Sequence, residues 1–130
     1  MFNSNLKKCL KYNLVQEGEI NFTSHIKSET VDISDARSWL YYFRFGNIVT
    51  IRFSFKMKNT CNGTYSDYLV CSDLPRAYCC ARSGDLCVDD DDISVFVEMK
   101  TTNLKVYARH KSIADKVVIG GFIYISNLSF

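Results

Sequence analysis

Between Tyr41 and Phe55 the chain reads YYFRFGNIVTIRFSF, two runs of strand-forming residues around a Gly46-Asn47 pair. No other stretch restricts the fold as much, because aromatic and β-branched residues at nearly every second position suit a pleated strand and not a helix. A hairpin follows. With a three-residue loop at Phe45-Gly46-Asn47, Arg44 faces Ile48; Phe43 then pairs with Val49, Tyr41 with Ile51, and Trp39 with Phe53, all on one face, and Tyr42 with Thr50 and Leu40 with Arg52 on the other. A two-residue Gly-Asn loop sets Arg44 against Val49 instead and mixes the faces. Consistency of the faces predicts the longer loop, with Trp39, Tyr41 and Phe43 pointing inward.

The same period returns downstream. Ile93, Val95, Val97 and Met99 alternate on one run, and Leu104, Val106 and Ala108 on the next. Pairing Met99 with Leu104 closes a four-residue loop over 100–103 and sets Glu98 opposite Lys105 and Phe96 opposite Tyr107 on the outer face. Such an aromatic pair beside a charge pair is either a contact surface or a layer packed under a neighbouring sheet. From Val117 to Ile125 the chain is apolar on both faces, as in a strand central to a sandwich or set against another subunit. Gly120-Gly121 within it predicts a bulge or a close backbone approach.

Further strands are expected over Ile20–Ser24, near Tyr68–Cys71 and over Ala77–Ala81. Turns are expected at Leu74-Pro75 and at Ser83-Gly84-Asp85, and a turn or short helical cap at Ser34 or Asp35. Only Leu6, Leu10 and Leu14 carry a helical spacing. Around eight short strands separated by turn signals predict an all-β chain, an antiparallel β-sandwich of jelly-roll type. Residues 1–33 read as an N-terminal segment with one strand, an attachment or extra edge, and 34–130 as the sandwich itself.

A chain of 130 residues buries roughly two-thirds of its unfolded surface, enough for a core of its own. Its net charge of +2 is scattered, which leaves no basic patch for nucleic acid. No run approaches the roughly 20 apolar residues that span a bilayer, and the first residues lack the apolar core and cleavage site of a signal peptide. The expectation is a soluble protein made in a cytoplasm.

Chemistry is hard to find. The six cysteines, Cys9, Cys61, Cys71, Cys79, Cys80 and Cys87, lack the paired knuckles of a zinc site, and a chain with its own core has little need of a disulfide framework. Free, partly buried thiols are the expectation. His25 and His110 stand in no metal-ligand spacing, and no phosphate loop or paired-carboxylate motif is present. Neither an enzyme, a metal nor a cofactor is expected. The acidic run Asp89–Asp92 reads as a solvated loop, with calcium binding or hydrogen bonding to sugar hydroxyls as its functional alternatives.

Tyr42-x-x-x-Gly46-Asn47-Ile48-Val49-Thr50-Ile51 resembles the strand pair in C-terminal head domains of bacteriophage tail proteins. Leu74-Pro75-Arg76-Ala77-Tyr78 is similar to the Leu-Pro-x-x-Tyr turn that follows it there, and Asn103–Tyr107 and the closing apolar strand resemble the later elements. The similarity covers roughly Ser34 to Ser126; the cysteines and the acidic run depart from it, and residues 1–33 do not read as the coiled-coil or collagen-like stalk that often accompanies such a head.

It implies a homotrimeric β-sandwich on a tail fibre or baseplate, located at the tail tip of the virion beside other phage tail proteins. It also implies receptor binding to a host cell-surface glycan, without membrane insertion. Sugar sites pair an aromatic platform with charged or amide groups that grip hydroxyls. On that reading Tyr65, Tyr68, Trp39, Tyr107 and Arg109 are candidate contacts, with Asp90 and Asp91 as acceptors. Trp39 and most tyrosines have core or trimer packing as their other role. A structural tail or baseplate component without ligand, and a bacterial carbohydrate-binding or adhesin module, are the rival functions.

Overall fold

A computed structural model of the chain describes residues 16–84, 86–89 and 93–126. The Leu6, Leu10 and Leu14 spacing, Asp90 and Asp91 lie outside the described residues. The described chain forms strands β1 (Gln16–Asn21), β2 (Trp39–Phe45), β3 (Ile48–Lys56), β4 (Tyr65–Cys71), β5 (Ala81–Ser83), β6 (Cys87–Val88), β7 (Ser94–Lys100), β8 (Asn103–Arg109) and β9 (Val117–Ile125). They make two antiparallel sheets, one ordered β1-β2-β3-β9-β6 and the other β4-β8-β7-β5. The apolar faces of both sheets close on one core, a sandwich-like all-β arrangement.

The first hairpin uses the shorter loop. Phe45 pairs with Ile48, Tyr42 with Ile51 and Leu40 with Phe53, leaving only Gly46-Asn47 between the strands. The expected faces are therefore reversed: Leu40 and Tyr42 are buried, while Phe43 and Phe45 are exposed. Both faces of β2 are apolar, so burial could not choose the register, and the turn did. Gly46 has φ +60°, and a glycine in that conformation at the first loop position is the mark of a type II′ turn, whose twist matches the flanking strands. Arg44, set against Val49, is accommodated at the sheet end, where its Nε donates to the Gly46 carbonyl at 3.1 Å.

The β7–β8 hairpin has the expected pairs, Met99 with Leu104, Glu98 with Lys105 and Phe96 with Tyr107. Its ladder runs one pair further, Lys100 with Asn103, so the loop is Thr101-Thr102 and not four residues. Thr101 sits at φ 55°, a left-handed conformation costing a β-branched residue about 1–3 kcal/mol. The Leu74–Ala77 segment holds it there: the Ala77 N–H donates to the Thr101 carbonyl at 2.7 Å and the Leu74 N–H to that of Thr102 at 3.2 Å.

That same segment explains why the strand expected over Ala77–Ala81 begins only at Ala81. Tyr124 Oη donates to the Pro75 carbonyl and Ser126 Oγ to that of Arg76, both at 2.7 Å. The Tyr78 N–H reaches the Ile125 carbonyl at 2.8 Å. The Leu-Pro turn thus ties the β7–β8 loop to the end of β9, one sheet to the other. At the front, β1 stops at Asn21, and a 3₁₀ turn over Thr23–His25 follows. Phe22 enters the core there, with the His25 ring stacked on it at 3.9 Å.

Strand β9 lies between β3 and β6 but is buried on one side only. Ile119, Ile123 and Ile125 are exposed by 46%, 63% and 44%. Its register against β3 is unbroken from Ile48–Ile125 to Lys56–Val117, so the glycine pair makes no bulge. Close approach is what the glycines provide. A Cβ on Gly121 would stand 2.6 Å from the Ile51 carbonyl oxygen, and one on Gly120 2.2 Å from Leu86 Cδ2.

Phe53 and Phe55, fully buried and stacked at 4.9 Å, lie at the centre of the core with Leu40, Met57, Met99 and Leu104. Burial of each such side chain contributes about 1.5–3 kcal/mol. Phe22, Ile26 and Val31 share this core with the strands that follow. A bulge between Leu69 and Cys71 in β4 lets Val70 and Cys71, neighbours in sequence, both be buried.

Candidate functional site

Alternation along β4, β8, β7 and β5 sends one set of side chains to the core and the other to the outer face of the four-stranded sheet. Val97, Met99, Leu104, Val106 and Ala108 go inward. The outer set falls into cross-strand rows: Tyr65 beside Arg109, then Asp67 beside Tyr107 beside Phe96, then Lys105 beside Glu98 beside Arg82.

The middle row is an aromatic ridge. The Phe96 and Tyr107 rings stack at 4.6 Å, only 10° from parallel. The Arg109 guanidinium lies 4.5 Å from the Phe96 ring centre and that of Arg82 5.8 Å away. The shallow depression along this ridge, about 320 Å³, is lined by Tyr65, Asp67, Arg82, Phe96, Tyr107 and Arg109. A second one, about 270 Å³, adjoins it on the far side of Tyr107, between Glu98, Lys100 and Lys105.

Charges on this face are paired and placed. Arg82 Nε donates to Glu98 Oε2 at 2.7 Å, and Tyr107 Oη donates to Glu98 Oε1 at 3.2 Å. Glu98 is 5% exposed. Burial pushes its carboxyl up, but hydrogen bonds from Arg82, Cys80 and Tyr107 together outweigh that and leave it below the ordinary carboxylate value. Burial, the Glu98 charge and the hydrogen bond to it raise the Tyr107 phenol, which stays a neutral donor at pH 7. Lys105 Nζ donates to Asp67 at 3.2 Å, a bond that raises the lysine. Arg109 has no carboxylate within ion-pair distance among the described residues, and Tyr65 shares a 2.7 Å hydrogen bond with His110 Nδ1. The face therefore offers stacked aromatic surface, a cation with donor capacity to spare and fixed carboxylate acceptors.

Of the residues singled out in the sequence, Tyr65, Tyr107 and Arg109 meet here. Tyr68 does not join them, since alternation turns it to the inner side, where it packs on the core and its Oη accepts from the Gly63 N–H at 2.9 Å. Trp39 lies on the outer face of the other sheet with Tyr41, both close to the Arg52 guanidinium (5.8 and 5.3 Å), which is also paired with Glu19. Asp89, the described member of the acidic run, lies near enough to Arg37 to add slightly to the rise that Asp35 causes. Phe96 and Glu98 are visible in the sequence as outward partners in the hairpin. Arg82 is not, because Ala77–Ala81 reads as the strand and leaves it in the following turn. Asp67 escapes notice because it stands just before the strand expected near Tyr68.

The five described cysteines are free. Burial raises the thiols of Cys61 and Cys71, the latter to about 12, so neither ionises near neutrality. Among the described residues no three His, Cys, Asp or Glu side chains converge as metal ligands, and no helix is long and apolar enough to cross a membrane. Comparison with protein-family models, with curated proteins and with solved structures found no match.

Proposed function

We propose that the chain is the receptor-binding head domain of a bacteriophage tail fibre or baseplate protein, and that it binds a polysaccharide on the surface of its bacterial host. The observation that carries the reading is the outer face of the four-stranded sheet. There the Phe96–Tyr107 ridge, Arg109 and the acceptors Asp67 and Glu98 offer the groups that sugar recognition uses. Support for the phage setting comes from the resemblance of the Gly46-Asn47 hairpin and the Leu74-Pro75 turn to tail-protein heads. The action is binding, with no bond made or broken: an aromatic edge takes the apolar side of a sugar ring while Arg109 and the carboxylates grip its hydroxyls.

On the same reading the sheets are arranged as a jelly roll and the head is a homotrimer at the virion tail tip, synthesised in the host cytoplasm and seated on other tail proteins. Binding of the isolated protein to whole cells and to extracted wall polysaccharide from candidate hosts tests the function. Retention on one host's polysaccharide supports it, and retention on none sinks it. Light scattering tests the assembly, since a mass near the 14.9 kDa of one chain at micromolar concentration contradicts the trimer. A structural tail component without ligand is the second reading, favoured by the exposed isoleucines and phenylalanines on the other sheet.

A further inference from the structure

The outer face of the five-stranded sheet is apolar where a free surface is normally polar. Phe45, Ile48 and Ile125 form one cross-strand row and Phe43, Thr50 and Ile123 the next. Tyr41 beside Arg52, then Trp39 and Ile119 on either side of Ser54, continue the face. Phe43, Phe45 and the four isoleucines are each 40–63% exposed, and together leave about 500 Å² of apolar surface open, at the upper end of what a monomer tolerates. With Glu19, Thr50, Arg52 and the two remaining aromatics, the open area is on the order of 800 Å², as much as each partner of a stable interface contributes.

Charge and shape narrow the choice of partner. Arg52 is the one charged residue in these rows, and Glu19 on β1 is its ion-pair partner within the chain. A face of aromatic and aliphatic side chains whose charges are already paired has the composition of a homomeric contact, and two such faces meet without repulsion. The face also carries both a knob and a hollow. Ile123, 63% exposed, pairs with Thr50, which lines a notch of about 250 Å³ together with Tyr41, Phe43 and Arg52. A cavity of about 150 Å³ holds benzene, so this notch has room for an isoleucine side chain. Both halves of the fit lie on one surface, as contact between copies of one chain requires.

We propose that the outer face of the five-stranded sheet is where this chain meets a second copy of itself, with Ile123 of one copy seated in the notch between Tyr41, Phe43, Thr50 and Arg52 of the next. The contact rests on the chain's being a homo-oligomer, as proposed above, and adds which surface makes it. It leaves the Phe96–Tyr107 face of every copy pointing outward, so that several such faces can engage one surface together. Light scattering on the full chain at micromolar concentration tests the contact. The wild type gives two or three times the 14.9 kDa of one chain, while Ile123→Glu and Phe45→Glu each give the mass of one chain with an unchanged far-UV circular dichroism spectrum. Both side chains are open to solvent, so their substitution spares the core. Tyr65→Glu, at a position 71% exposed on the opposite sheet, keeps the wild-type mass. An oligomeric wild type whose Ile123→Glu and Phe45→Glu variants stay oligomeric overturns the contact and leaves the assembly standing. A fall in mass with Tyr65→Glu alone overturns it too, by assigning the interface to the other sheet. A wild type of single-chain mass overturns the contact and the assembly together.

Discussion

Arg82 and Glu98 form an ion pair with very unequal exposure: the arginine side chain is 62% exposed and the glutamate side chain 7%. Removing either partner should therefore cost different amounts. Arg82→Ala strands a shielded carboxylate, leaving it Tyr107 Oη at 3.2 Å and the Cys80 thiol. Loss of a charged hydrogen bond to a largely shielded carboxylate costs about 2–3 kcal/mol at pH 7. Glu98→Gln keeps the packing and strands only an exposed guanidinium, which water takes over, so it costs about 1 kcal/mol or less. The larger loss corresponds to a melting temperature lower by about 10 °C in a chain of this size.

The pH dependence differs between the two proteins. In the wild type the Glu98 carboxyl lies below its ordinary 4.5, so its contribution is present above that pH and lost as the pH falls through the folded value. In Arg82→Ala the lowering by the guanidinium is lost while burial still pushes the carboxyl up, so its value moves upward. Protonation then relieves the penalty, and the cost of the substitution shrinks between pH 7 and about pH 4. Urea unfolding followed by the fluorescence of Trp39, the only tryptophan, measures both variants at both pH values. A Glu98→Gln cost equal to that of Arg82→Ala, or an Arg82→Ala cost that does not change with pH, refutes the reasoning from unequal burial.

The two glycines of β9 should not respond alike to alanine. Gly121→Ala drives its Cβ into the backbone oxygen of Ile51 and costs about 2–3 kcal/mol in urea unfolding, whereas Gly120→Ala meets the movable end of Leu86 and costs under about 1 kcal/mol. Thr101→Asn removes a β-branched residue from φ 55° and raises stability by about 0.5–1 kcal/mol, provided the Ala77 and Leu74 hydrogen bonds persist; a destabilised variant contradicts the strain. Tyr68→Phe unpairs the Gly63 N–H, lowers stability by about 1 kcal/mol, and leaves polysaccharide binding intact. Loss of binding in that variant would move the site to the other side of the sheet.

Strand periods are legible in the sequence because alternation is local. The β7–β8 pairs follow from one choice of register, and three of the candidate contacts, Tyr65, Tyr107 and Arg109, fall on one face for the same reason. Where the sequence misleads, both faces are apolar or long-range bonds intervene. In β2, Leu40 and Tyr42 alternate with Trp39, Tyr41 and Phe43, so hydrophobicity cannot say which set is buried, and the φ of Gly46 chooses. In β9 the isoleucines look like a second buried face because period alone does not distinguish core from exposed apolar surface. Ala77–Ala81 reads as a strand, yet Ala77 and Tyr78 give their N–H groups to Thr101 and Ile125, partners remote in sequence. Tyr68 sits three residues from Tyr65 on the same strand, an odd spacing that places the two on opposite faces.

Whether the outer face of the four-stranded sheet holds a bacterial surface polysaccharide decides the functional reading. Titration of purified host wall polysaccharide into the wild type, Arg109→Ala and Tyr107→Ala tests it, with far-UV circular dichroism confirming that each variant is folded. Arg109 is exposed and makes its ring contact at the surface, so its removal leaves the core untouched. Saturable binding by the wild type and at least about tenfold weaker binding by both variants is expected, a loss of about 1.4 kcal/mol or more. Equal binding by all three proteins, or none by the wild type, contradicts it.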